Sequence, residues 1–438
     1  MSNFKIVIIG IFGAGIIFGM LVFSGVISFG SSAATKEVTG SVTIWGTFDQ
    51  NAMAGFISDF DTRNQKVTAT YVQKDAATFD ATLTEAIASG SAPDLILLPD
   101  SLVWRYSDKI SHIPFASLPA QTFQSTFISA GNIFSATDGY VAVPWAADPL
   151  VMYYNRDMIE GIGLSQPPSN WQAFVASVPL LAKKQADLTL TQQAAALGSY
   201  SNIAHASDIL ALLFFENGNP FITLGATRPN IHFGTTSTAD EITTSSQALT
   251  FYMGFSNSTN QDYTWNSGQP LDRSAFLSST LAYYFGLASE LPLIRATNPN
   301  LNFGIALPPQ AAGKSPVTSG HVYGFAIPKS APNQILSFTA ATLLSNTASE
   351  AAITSKTGTS LALIPARRDV LAVKPVNDAY LGLLYDAAIV QKFWVDPNPA
   401  VSSGIWKALV GDISSSTLPV GDALTKAAAQ LSSLGAKI

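Results

Sequence analysis

The chain has 438 residues, no cysteine, a net charge of −6 and only 12% charged side chains, roughly half the share of an ordinary soluble domain. Disulfides, thiolate metal sites and cysteine nucleophiles are therefore excluded. No basic cluster is present, so the electrostatic drive for nucleic-acid binding is missing as well.

Ile6 to Gly30 carries no charge and exceeds the roughly 20 apolar residues that cross a bilayer. The expectation is a single membrane-spanning anchor over residues 1–37, linker included. Small residues at Ser31, Ala33 and Ala34 keep a cleaved signal peptide open as the alternative. In both cases the remainder works outside the cytoplasm, and its length suffices for two domains.

Beyond the anchor, strands and helices alternate. Val42 to Trp45 reads as a strand, Met53, Phe56, Ile57 and Phe60 as the apolar stripe of a helix, and Val67 to Val72 as a second strand. Phe79, Leu83 and Ile87 mark another helix stopped at Gly90, and Asp94 to Leu98 a third strand. This order predicts an α/β fold with a mostly parallel, doubly wound sheet. Ligands of such sheets sit beyond the carboxyl ends of strands, which singles out the loops Gly46–Gln50, Pro99–Trp104 and Trp145–Asp148.

Leu150 to Tyr154 is an apolar run typical of a strand covered on both faces. Asn155-Arg156-Asp157 opens a helical turn closed by Gly161 and Gly163, and Ser169 is expected to cap a helix carrying Trp171, Phe174, Val175 and Val178. Residues 180–302 read as mainly helical, with Ile209–Phe215 stopped by Asn217-Gly218-Asn219-Pro220. Asn302–Leu307 and Val322–Ile327 read as strands, Ile335–Leu344 and Val420–Leu434 as helices.

The succession from Val143-Pro-Trp-Ala-Ala-Asp148 through Tyr153-Tyr-Asn155 and Gly161-Ile-Gly-Leu164 to Pro167-Pro-Ser-Asn-Trp171 resembles the family 1 extracellular solute-binding proteins. These are the maltose-binding-like receptors of ABC importers. Trp45-Gly-Thr-Phe-Asp49, Gly90-Ser-Ala-Pro-Asp94, Phe276–Gly286, Gly320–Pro328 and Thr357-Gly-Thr to Ile364-Pro-Ala-Arg367 resemble further segments in the family's order. The resemblance implies a two-lobed, periplasmic-binding-protein-like fold of type II with a three-segment hinge. Lobe 1 would combine 38–146 with 308–355, and lobe 2 would combine 147–307 with 356–438. Crossings would fall at Ala146–Asp148, Ile305–Pro309 and Ile353–Gly358, with Ala146, Ala147, Leu307 and Pro308 as hinge residues. The implied role is capture of a small polar solute, a carbohydrate foremost, for ABC permease subunits, without a cofactor or metal.

Site residues follow from the same resemblance. Asp49 and Asp148 match hydroxyl-binding acidic positions, although Asp49 could cap the next helix and Asp148 could make a hinge hydrogen bond. Asp100 and Ser101 end the third strand as ligand groups or solvated turn residues. Trp145 and Phe48 are the aromatic candidates, with core burial as the alternative, and Trp406 resembles a ring-stacking position that could equally pack on the C-terminal helix. Tyr200, Asn202 and His205 lie in a polar loop resembling the family's second-lobe binding loop; capping explains Asn202 nearly as well. Where maltose-type members carry a "G-x-W" platform, this chain reads Gly286-Leu-Ala-Ser-Glu290, which turns attention to Ser289 and Glu290. Trp394 reads as core or subunit surface.

Catalysis finds little support. The histidines are scattered, and HExxH, GxSxG and GxxxxGK motifs are absent. A paired-carboxylate glycosidase and a membrane-anchored sensor or adhesion module remain the alternatives.

Overall fold

The computed structural model describes residues 38–434 except 219, 227, 235–237, 358–360 and 376–377; the expected anchor lies outside these. Three strands, β1 (Gly40–Gly46), β2 (Val67–Gln73) and β3 (Leu95–Pro99), pair in parallel through the helices Gln50–Arg63 and Phe79–Ala88. Val42, Ile44 and Leu95 to Leu98 are buried against Met53, Phe56, Phe60, Phe79 and Leu83 from those helices, the faces that the spacing indicated. Gly90 closes the second helix at φ +73°, a left-handed conformation glycine adopts without Cβ strain.

The short strands β4 (Ile113–Pro114) and β5 (Gly139–Tyr140) form a side ribbon. The chain then enters β6 (Val143–Asn155), a thirteen-residue strand buried along its whole length. It is followed by β7 (Lys183–Lys184), β8 (Leu190–Ala195), the ribbon of β9 (Ile222–Thr223) with β10 (Asn230–Ile231), β11 (Leu281–Leu287), β12 (Phe303–Ala306), β13 (Gly320–Ala326) and β14 (Ile364–Pro365). One ten-stranded sheet runs β2-β1-β3-β13-β6-β11-β8-β7, with β12 and β14 also on β6. β6 serves two sets of partners. Val143 to Pro149 pair with β13 and β14, and Leu150 to Asn155 pair with β11 and β12.

Four expectations change. The sheet is mixed: β8 with β11 and β1 with β2 and β3 are parallel, but β7 with β8 and every contact of β6 and β13 are antiparallel. Trp145–Asp148 is strand rather than loop. Its flanking prolines discourage a central strand, yet the register with β13 shifts between Ala146 and Pro144, and a bulge is where a proline fits. The cap before Trp171 is Asn170, whose side chain accepts the Ala173 N–H at 2.9 Å, not Ser169. Finally, residues 180–302 contain the sheet strands β8 and β11. Leu281–Leu287 is a wholly apolar run, which periodicity cannot tell from a buried helix, and Leu190-Thr-Gln-Gln-Ala-Ala195 has little of the usual strand composition.

Residues Ile364–Leu371 stay with the first part of the sheet. The Ala366 N–H donates to the Trp145 carbonyl at 3.1 Å, the Ile128 N–H donates to the Ala366 carbonyl at 2.9 Å, and Arg368 reaches the Phe127 carbonyl at 2.8 Å.

Tyr153 ties β6 to the turn after β11, its hydroxyl donating to the Leu287 carbonyl at 2.7 Å from a fully buried position. Tyr153→Ala should lower the unfolding free energy by about 3–5 kcal/mol, read as a drop in urea midpoint at unchanged m-value. Tyr153→Phe, which only orphans that carbonyl, should cost about 1–3 kcal/mol.

Candidate functional site

Several chain ends meet where β6 changes partners. β3 runs into a 3-10 turn at Asp100–Leu102, β11 into another at Ala288–Glu290, and the helix Ala206–Glu216 begins just after His205. β13 enters with Gly320 opposite Pro149 and His321 opposite Asp148. This is the region beyond the carboxyl ends of the parallel strands, where open α/β sheets bind ligands.

The side chains form a run of alternating charge. The carboxylate of Asp100, 4% exposed, accepts the Ser101 N–H at 2.8 Å and faces His321 Nδ1 at 3.0 Å. His321 Nε2 lies 3.5 Å from Asp208, which is 3.7 Å from His205 Nδ1. His205 Nε2 meets Glu290 at 3.1 Å, and Glu290 also holds Arg273 at 3.1 Å and the Tyr284 hydroxyl. Carboxylates facing both ring nitrogens make each imidazole a double donor, hence a cation. Burial works against the charge on both rings. Asp208 and Glu290 override it and raise His205 to about 10, and Asp100 and Asp208 together hold His321 well above its ordinary value. Asp208 in turn is lowered, burial being outweighed by His321 and His205. It also sits in the first turn of its helix, where a negative charge suits the helix dipole.

Beside this run, Asp148 accepts the Ser289 N–H at 2.8 Å, and burial pushes its carboxyl up to about 6. Burial has the same effect on Asp272 and Asp396, each raised to about 6. A cavity of about 670 Å³, lined by none of these charged groups, opens between Val103, Trp104 and His112 on one side and Leu224, Ala226 and Asn230 on the other. That volume is within the range of small-molecule sites.

Of the sequence candidates, the structure brings together Asp100, Ser101, Asp148, His205, Ser289 and Glu290. Phe48 borders them through its ring contact with Tyr323 at 4.7 Å, and half-exposed Tyr200 feels Asp396 and Asp208. Others are placed elsewhere or committed. Asp49 caps the helix Gln50–Arg63, accepting the Ala52 N–H at 2.9 Å. Trp145 is wholly buried among Phe48, Phe56 and Phe325, and Trp406 is buried among Phe221, Phe233 and Trp394; both are core aromatics in this conformation. Asn202 spends its amide on the carbonyls of Asn266 and Gln269 and accepts from Trp265. Ala146 and Ala147 are interior residues of β6, while Leu307 and Pro308 follow β12. Sequence reasoning missed His321, Asp208 and Arg273. His205 and Asp208 are three apart at a helix start, a same-face pair that spacing alone could have flagged. Among the described residues, no group of histidines and carboxylates has metal-binding geometry.

The titrations have one sign over most of the pH scale. His205, raised to about 10, binds its proton more tightly when folded, so it stabilises fully below about 6.5 and loses this as pH climbs toward 10. The raised carboxyls Asp148, Asp272 and Asp396 stabilise while protonated and lose that contribution as pH rises through about 6. The melting temperature should therefore fall steadily from about pH 5 to about pH 10, and His205→Gln should flatten the upper part of the curve. Differential scanning calorimetry across pH checks this; a rise between pH 7 and 10 in the parent protein would contradict it.

The model of the family described as bacterial extracellular solute-binding protein matches residues 55–381. A binding protein of Brucella abortus (strain 2308) is 24% identical over 159 residues, 36% of this chain. The match spans only 39% of that relative's length. Among solved structures, an ABC transporter solute-binding protein of Thermotoga lettingae bound to α-D-tagatose superposes with a TM-score of 0.67 at 19% identity. It covers 90% of this chain and 100% of that one. The sugar-binding protein MalE of Xanthomonas citri gives 0.70 at 14% identity, covering 90% and 97%. These likenesses extend the two-lobed α/β fold over nearly the whole described chain. The chain belongs to the bacterial extracellular solute-binding protein family.

Proposed function

We propose that the protein is an extracytoplasmic receptor that captures a small polar solute, a sugar foremost, and delivers it to an ABC permease. The observation that carries this reading is the convergence of Asp100, Asp148, Asp208 and Glu290 from four separate elements at the point where β6 exchanges partners. Carboxylates accept hydrogen bonds from hydroxyls more strongly than neutral groups do, and acceptors gathered from both sides of a strand exchange can grip one solute from two directions. Structural neighbours that bind α-D-tagatose and maltotetraose support a carbohydrate.

On this reading one lobe combines 38–146 with 308–355 and the other 147–307 with 356–438. The bonds of Ile364–Leu371 to residues 127–145 support counting 356–371 with the first lobe and drawing the third crossing beyond Leu371 instead of at Ile353–Gly358. β6 supplies the first crossing as continuous strand, with Ala146 and Ala147 just before its change of partners, and the residues after β12, Leu307 and Pro308, supply the second. A solute touching both lobes binds the closed form more tightly and shifts the population toward it. Micromolar affinity, about −8 kcal/mol, serves capture of this kind. The family and its structural neighbours are binding proteins, and the reading assigns no catalytic group. The charge-free segment Ile6–Gly30 anchors the receptor in place of the lipidated cysteine that the chain lacks.

A thermal-shift panel of neutral mono- and oligosaccharides should reveal at least one that raises the melting temperature, since a ligand specific to the folded state stabilises it. That ligand should compact the protein in small-angle scattering. Asp148→Asn should weaken its binding about tenfold or more, roughly 1.4 kcal/mol. Steady turnover of an oligosaccharide with no compaction would instead favour the glycosidase alternative.

A further inference from the structure

Every cation in the cluster is committed. His321 faces Asp100 and Asp208, His205 faces Asp208 and Glu290, and Arg273 faces Glu290. Six carboxyls stand against these three cations: Asp100, Asp148, Asp208, Asp272, Glu290 and Asp396. The three outside the ion pairs, Asp148, Asp272 and Asp396, are held by neutral donors. Asp148 takes the Ser289 N–H, Asp272 the Ala204 and Arg273 N–H groups, and Asp396 the Asn398 N–H and the Ser402 hydroxyl. Within the central tie, the His321 side chain is 28% exposed and both carboxylates it holds are 4% exposed, so the ring is the part that an entering solute meets.

We infer that His321, tied between Asp100 and Asp208, is the specificity-determining residue that makes the site select uncharged polyhydroxylated solutes over phosphorylated or carboxylated forms of the same skeleton. The inference rests on the receptor reading above and deepens it. The cation that would otherwise attract an anion is neutralised from both sides, and its two N–H groups are spent on protein carboxylates. A phosphate or carboxylate brought here displaces no bound anion and meets an excess of like charge, which disfavours wrong partners strongly at short range. A neutral, hydroxyl-rich solute brings no charge and escapes that repulsion. The alternation of charge thus fixes the acceptors in place and leaves neither N–H of His321 free for an anion.

The test is gain of anion binding. Calorimetric titration would compare a neutral sugar identified by thermal shift with its phosphate ester and its uronic acid. The parent protein should bind the neutral sugar at least tenfold more tightly than either anion. Asp208→Asn releases one N–H of His321 and should narrow that ratio at least tenfold. Asp100→Asn, which releases the other, gives a second reading should the first variant fold poorly, and adding His321→Gln to either variant removes the released cation and should abolish the gain in anion binding. A parent protein that prefers the anion, or an unchanged ratio in both aspartate variants, overturns the inference alone. Failure of all three ligand types to bind across the sugar panel overturns the receptor reading and this inference with it.

Discussion

The partner exchange along β6 is the constraint on which the rest depends. A single strand whose first seven residues pair with β13 and β14 and whose last six pair with β11 and β12 must be covered on both faces, and all thirteen of its residues are buried. Burial on that scale leaves each backbone group dependent on a neighbouring strand. The bulge at Trp145 shows how tightly this is met. The residue that the ladder leaves over still places its carbonyl on the Ala366 N–H at 3.1 Å. Asp148 is a carboxyl within that same strand, and only its position at the exchange, where the β11 turn offers the Ser289 N–H, makes its burial tolerable.

The charged cluster follows from the same geometry. Isolated buried ions are unfavourable by several kcal/mol each, and a line of alternating sign relieves this by giving every interior ion two opposite neighbours. The cost of breaking such a line is correspondingly large, because removing one member strands a buried charge. The groups are also supplied by rigid elements rather than loops. His321 comes from a strand, Asp208 from a helix start, and Asp100 and Glu290 from 3-10 turns fixed to strand ends. That placement keeps the acceptors pre-oriented, which lowers the ordering cost of binding.

Much of this was legible in the sequence. Alternating apolar runs located β1, β2, β3, β12 and β13, and glycines at left-handed positions marked helix ends at Gly90, Gly163 and Gly218. Less legible were features set by tertiary context. Leu281–Leu287 could be helix or strand until a partner strand decided it, and the flanking prolines hid the continuity of β6. Among the candidate site residues, the position of Asp100 at the end of β3 was legible, but aromatic candidates were not separable from core. Trp145 and Trp406 have the size and placement of stacking residues, and what settles their position is a surrounding set of phenylalanines from distant segments. His321 escaped because a lone histidine in an apolar strand carries no signal by itself; its meaning comes from Asp100 and Asp208, 221 residues away in one case.

The face on which His321 lies explains why the site and the fold cannot be separated. Along β13, Val322 and Ala326 point into the core while His321 and Tyr323 are partly exposed, and Tyr323 meets the Phe48 ring. A one-residue slip of β13 would turn the imidazole into the core and a valine toward the carboxylates, since strand side chains alternate with period two. The register of the central strand is therefore also the register of the charges. With no tryptophan at the turn Gly286-Leu-Ala-Ser-Glu290, the proposed receptor would lean on these acceptors rather than on ring stacking, and directional hydrogen bonds to a solute's rim of hydroxyls would take the larger share of the binding energy. A site of this kind discriminates by the charge and hydroxyl geometry of its guest more than by the apolar face that guest presents.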